Sequence, residues 1–235
     1  MNETLMDMDV GFAARTADQI NAAMGRVYGH MMIATLVSML TSYAVGTSPE
    51  LMALLFGTAL KWVVLFAPLV FIFIVPVLLN SGIGLVGASL TLNAFAALMG
   101  LSLSTIFVVY SMGSIVTAFM GAAVLFGTMS FYGYFTKRSL TDMGSFLMVG
   151  LIALIIASLI NLFIGSTVVQ MVISAIAIVI FLGFTAYDTQ TIREQLMDES
   201  GPVVEVYGAL NLYLDFINLF VNLLQLIGVA PGSDD

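Results

Sequence analysis

Five polar residues interrupt the stretch from Val206 to Gly228, which is otherwise apolar and long enough to cross a bilayer: Asn211, Asp215, Asn218, Asn222 and Gln225. Their spacing of 4, 3, 4 and 3 puts them on one stripe of a helix. An ionised carboxylate at mid-depth costs at least about 2.5–3.5 kcal/mol, and an unpaired amide in hydrocarbon is also expensive. The stripe must therefore face other helices or a wet cavity. A second carboxylate, Asp188, closes the apolar stretch before it. If Asp188 and Asp215 meet, desolvation and like charge both oppose double ionisation, so the pair would share one proton and titrate as a unit. Oxygen ligands of this kind also suit a calcium ion, which would compete for that proton. Asn211 and Asn218, one turn to either side of Asp215, could add carbonyl oxygens or hold the carboxyls by hydrogen bonds. The structural alternatives are a buried carboxylate that fixes helix register and amides that act as interhelical glue.

The elements that must position these residues follow from composition. Of the 235 residues, 60% are hydrophobic and 9% charged, with a mean hydropathy of +1.09. Soluble domains carry about 25% charged residues, so the expectation is an all-α integral membrane protein. No charged residue lies between Lys61 and Lys137 or between Asp142 and Asp188. Breakers divide the chain into seven spans near 27–46, 61–79, 84–107, 113–135, 144–164, 168–188 and 206–228. Residues 1–26 read as a cytoplasmic tail with a short amphipathic surface helix from Val10 to Arg26, and 229–235 as a short acidic tail. With the N-terminus inside, Arg15, Arg26, Lys137, Arg138 and Arg193 are cytoplasmic and only Lys61 lies outside, as the positive-inside rule requires. The acidic loop Glu194, Asp198, Glu199 and Glu205 reads as a solvated linker, and Tyr28, Trp62, Tyr132 and Tyr134 as interface anchors.

Other chemistries are excluded or disfavoured. Without cysteine there is no disulfide, thiol catalysis or thiolate metal site, and one histidine cannot make a histidine cluster. A net charge of −8, mostly in the tails and one loop, argues against binding nucleic acid or anionic lipid. An intramembrane aspartyl protease would carry Gly-x-Gly-Asp at its second aspartate, whereas this chain reads Leu212-Tyr213-Leu214-Asp215. The expectation is a protein that is not an enzyme and has no resident cofactor.

Two blocks make the reading specific. Ala186-Tyr187-Asp188-Thr189-Gln190 and Leu212-Tyr213-Leu214-Asp215-Phe216-Ile217-Asn218-Leu219-Phe220 resemble the paired motif of the Bax inhibitor family, the transmembrane Bax inhibitor motif proteins. Arg26-Val27-Tyr28-Gly29, Gly100 to Ser104 and Tyr132 to Arg138 are similar to bacterial members, and the likeness runs over residues 24–228. The resemblance implies two three-helix layers around a central seventh helix. It also implies a pH-sensitive calcium leak gated by the aspartate pair, which Asp188 and Asp215 match, with calcium and protons as the permeant or competing ions. A non-transporting regulator that binds other membrane proteins, such as a membrane protease or cell-death machinery, is the second implied function. A bacterial inner membrane is the implied location. One departure stands out: some bacterial members hold the pair closed with an arginine near the end of the second span. Here that region is Leu78-Leu79-Asn80-Ser81-Gly82, leaving Asn80 or Lys137-Arg138 as substitutes.

Overall fold

A computed structural model describes residues 15–198 and 201–228, all of its regular structure helical. The elements are α1 (Ala17–Gly46), α2 (Pro49–Phe56), α3 (Leu60–Leu79), α4 (Gly84–Leu103), α5 (Ile106–Val109), α6 (Met112–Phe135), α7 (Thr141–Ile164), α8 (Thr167–Asp198) and α9 (Pro202–Ile227). Six spans are each long and apolar enough to cross a bilayer: α3, α4 with α5, α6, α7, α8 and α9. Taken together as one broken span, α1 and α2, bent by 96° at Thr47 and Ser48, would make a seventh among the described residues.

Local chemistry explains most boundaries. Thr16 caps α1 reciprocally: its hydroxyl accepts from the Gln19 N–H at 3.3 Å, and the Gln19 carboxamide oxygen accepts from the Thr16 N–H at 3.0 Å. From that cap the helix runs without a break into the first span. The separate surface helix expected from the sequence is therefore, from Ala17 onward, the opening of α1, with Ile20, Ala23, Met24 and Val27 buried against protein. Val10 to Ala14 lie outside the described residues, as does the tail 229–235. At the other end of α1, Ser48 accepts from the Leu51 N–H and Pro49 takes the first helical position, which turns the chain into α2. Gly82 (φ +80°) and Gly84 (φ +63°) make the turn from α3 to α4, and Gly165 (φ +69°) ends α7 in the left-handed conformation.

The helix α8 departs most from the expected boundaries. Its apolar run ends near Asp188, but Thr189 to Asp198 contains no glycine or proline and is rich in helix formers, so the helix continues. Thirty-two residues give about 48 Å at 1.5 Å per residue, well beyond a hydrocarbon core of about 30 Å.

The α9 helix sits at the centre. It packs against α8, α1, α6, α4 and α3, and half of its apolar window is buried, against 17–33% in the other five spans. Around it, α1 and α3 pack on α4, while α6 and α7 pack on α8. Five basic residues gather at one end of this bundle. Arg15 donates to the Leu196 carbonyl at 3.1 Å, Arg26 meets Glu205, Arg193 meets Tyr134, and Lys137 and Arg138 follow α6 directly.

Candidate functional site

Asp188 stands on α8 and Asp215 on α9, the most closely packed pair of neighbours in the bundle. Glycines let the helices approach. A Cβ on Gly133 of α6 would lie 2.2 Å from the Ala186 carbonyl oxygen, and one on Gly144 of α7 would lie 2.6 Å from the Tyr187 ring. Only glycine permits α6 and α7 to clamp α8 at the residues immediately before Asp188. Thr185 and Thr189 turn their hydroxyls onto their own helix, donating to Phe181 and Thr185 carbonyls, and the Ser130 hydroxyl also bonds Thr189 at 3.0 Å.

So held, Asp188 and Asp215 are close enough for their carboxyl groups to interact between α8 and α9. Asp215 is 5% exposed, and its Oδ2 is buried with no hydrogen-bond partner among the described residues. Asp188 is less enclosed. It lines a hollow of about 600 Å³ with Asn211 and Tyr187, walled on the α7 side by Gly144, Ser145 and Met148.

The remaining stripe lines a second hollow, of about 410 Å³, between the same three helices farther along. Asn218, Asn222 and Gln225 face it from α9 and Gln170 from α8, opposite Leu151 to Leu162 of α7. Asp215 falls between the levels of the two hollows, four residues past Asn211 and three before Asn218. Phe184 borders the first and Phe181 the second, with ring centroids 6.0 Å apart. Asn211 thus borders one hollow and Asn218, Asn222 and Gln225 the other, with Asp215 between them along the stripe.

The amides divide by role. Asn218 and Asn222 donate to the Leu214 and Asn218 carbonyls of their own helix, both at 2.8 Å. Gln225 is an interhelical fastener: its oxygen accepts from Gln170 at 2.9 Å and from Ser174 at 2.7 Å. Asn211 stays with Asp188. Among the described residues no group of three or more His, Asp or Glu side chains converges on a metal-sized site.

Several surroundings differ from the sequence expectation. Glu205 is buried and held by a two-pronged bond to Arg26, Nε to Oε2 at 2.7 Å and Nη2 to Oε1 at 2.6 Å, so it is no part of a solvated linker. Glu199 lies outside the described residues. Tyr28 and Tyr134 are fasteners that bond Ser130 and Asn21 across the α1–α6 seam, while Trp62 and Tyr132 are exposed as anchors would be. Asn80 ends α3 and is exposed, and Lys137 lines a hollow with Arg193 and Asn21, so neither latches the carboxyl pair. A buried hydroxyl node was not legible at all. Ser38 bonds the Ala96 carbonyl at 2.7 Å and the Tyr213 hydroxyl at 2.6 Å, joining α1, α4 and α9.

Comparison with known proteins places the chain in a family. A family model described as "Inhibitor of apoptosis-promoting Bax1" matches residues 20–231. Protein RP147 of Rickettsia prowazekii is 38% identical over 210 residues, covering 86% of this chain and 87% of its own. The inner membrane protein YbhL of Escherichia coli K12 is 37% identical over 215 residues, covering 87% and 90%. A membrane protein of Streptococcus pyogenes is 42% identical over a shorter 137 residues, 57% of this chain and 60% of its own.

Proposed function

This chain belongs to the Bax inhibitor family of membrane proteins, and from that premise we propose that it is a calcium-permeable leak whose opening follows the protonation of Asp188 and Asp215. One observation supports the reading: the polar stripe of α9 borders two hollows between α7, α8 and α9, and Asp215 lies between the stripe residues that line them. When the pair shares a proton, one hydrogen bond joins α8 to α9 and the interval between the hollows stays shut. When the proton leaves, two carboxylates in contact repel, the helices part, and the same oxygens offer a calcium ion a place to pause. Two carboxylates and the amide of Asn211 fall short of the six to eight oxygens, roughly, of a resident calcium site. Such a set suits an ion that keeps part of its water and moves on, so calcium is the cargo here. The E. coli relative is an inner membrane protein, which favours the same location for this chain. The basic end of the bundle then faces the cytoplasm.

The test is calcium entry into liposomes holding the purified protein, measured between about pH 5 and 8, for the wild type, Asp188→Asn and Asp215→Asn. Flux that varies with pH in the wild type and loses that dependence in either variant is the expected result. Unchanged profiles in both variants would refute the gate. Folded protein without flux at any pH would favour the regulator that acts by binding other membrane proteins.

A further inference from the structure

Helix α1 and helix α6 face each other across a seam whose glycines serve no packing purpose. Glycine in a membrane helix ordinarily lets two backbones touch, as Gly100 does against Ser38 and Gly133 against Ala186. Gly25 on α1 and Gly127 on α6 do not: a Cβ built on either meets no atom within 4 Å. Both border a hollow of about 500 Å³ that runs between the helices, with Met24, Tyr28, Phe126 and Phe131 as its other walls. The small residues keep this space open.

The trough does not end in lipid. Past Asn21, Tyr134 and Phe135 it continues into a hollow of about 640 Å³, and there the lining gains Lys137 and Arg193. Arg193 is fixed in place, its guanidinium carbon 5.1 Å from the centre of the Tyr134 ring and its Nη1 donating to the Tyr134 carbonyl at 3.1 Å. Among the described residues, neither Lys137 nor Arg193 is ion-paired with a carboxylate. A chain of net charge −8 thus places two cations, with no carboxylate partner among the described residues, at the mouth of an apolar trough.

We propose that this groove seats one anionic phospholipid, its phosphate on Lys137 and Arg193 and one acyl chain between Gly25 and Gly127. Charge complementarity selects this occupant. A helix of a partner protein would fill the trough but leave the cations bare, whereas a phospholipid matches both parts with one molecule. The overall negative charge of the protein does not oppose this, because only charges within about a Debye length, 10 Å at 0.1 M salt, act strongly on a headgroup.

The experiment titrates the purified protein in neutral detergent with phosphatidylglycerol or phosphatidylcholine and counts bound lipid by native mass spectrometry. The variants are Gly25→Leu, Gly127→Leu and Lys137→Gln/Arg193→Gln, with far-ultraviolet circular dichroism confirming the fold. The wild type is expected to retain one phosphatidylglycerol in preference to phosphatidylcholine. Either leucine, which enters open space on one wall, should abolish that retention. The charge variant should lose about fivefold in affinity for each cation removed. Because the two leucines stand on different helices, a folding failure in one leaves the other informative. Equal retention of both lipids, or retention that survives both leucines, would overturn the proposal. Displacement of the lipid by inorganic phosphate at similar concentration would also overturn it, reducing the site to a plain anion pocket.

Discussion

Glu205 is 5% exposed, and both of its carboxylate oxygens are taken by one guanidinium that is itself half in solvent. Such a fork fixes the first turn of α9 to α1, which matters because α9 carries Asp215. Removing one partner strands a buried carboxylate, so Arg26→Gln should lower stability by about 1–3 kcal/mol, the range for leaving a buried polar group unsatisfied. Glu205→Gln should cost less, because the amide stays uncharged in its pocket. Thermal unfolding in detergent checks both, and equal losses in the two variants would contradict this account. Sequence alone could not show the fork, since 179 positions separate the partners and both stood among charges that read as loop and tail. By contrast the burial of Asp215 was legible, because a carboxylate inside an apolar run is so costly that its position alone implies a protected setting.

Elements were legible wherever a breaker or a change of polarity marked their ends. Gly82 and Gly84, Gly165 and Pro202 each sit at a boundary, and the apolar runs between them became α3, α4, α6, α7 and α9. Where polarity changed but the backbone had no reason to stop, the reading failed. Helix α8 runs ten residues beyond Asp188, and α1 begins ten residues before Val27. The short α2 was missed because Pro49 reads equally as a breaker and as a helix start. At this scale the decisive contact is Gly133 against the backbone of Ala186. A methyl group there cannot fit without moving α6 away from α8, so Gly133→Ala should destabilise by about 1–3 kcal/mol. It should also disturb the pH dependence of flux, since Asp188 lies two residues on. Gly29→Ala, where the added methyl meets nothing within 4 Å, is the matched control and should leave stability at or slightly above wild type and the flux profile unchanged. Loss of stability in the control but not in Gly133→Ala would reverse the assignment.

Taken whole, the bundle separates its charges by end: Arg15, Arg26, Lys137, Arg138 and Arg193 cluster at one end, while Lys61 opens α3 at the other. The absence of cysteine makes the orientation simple to test, because a single introduced thiol is the only one present. In intact bacterial cells a membrane-impermeant maleimide should label Lys61→Cys and spare Lys137→Cys, with the pattern exchanged in inverted vesicles. The opposite pattern would place the basic end outside and reverse the direction in which the carboxyl pair meets the ion gradient.

If the two hollows beside the stripe fill from opposite sides of the membrane, the interval between them has an electrical consequence. Water filling both would carry bulk potential deep into the protein from either side, so the transmembrane voltage would drop across the short interval at Phe181, Phe184 and Asp215 rather than across the whole bilayer. A proton or calcium ion crossing that interval would sense most of the field, about 2.3 kcal/mol per charge for each 100 mV. Protonation of the pair would then respond to membrane voltage as well as to pH. Imposing a potassium diffusion potential on the liposomes should move the pH profile of flux along its axis, and a profile indifferent to voltage would mean that the hollows are dry. Two small cavities and a thin partition would make the bilayer, electrically, only as thick as one pair of side chains.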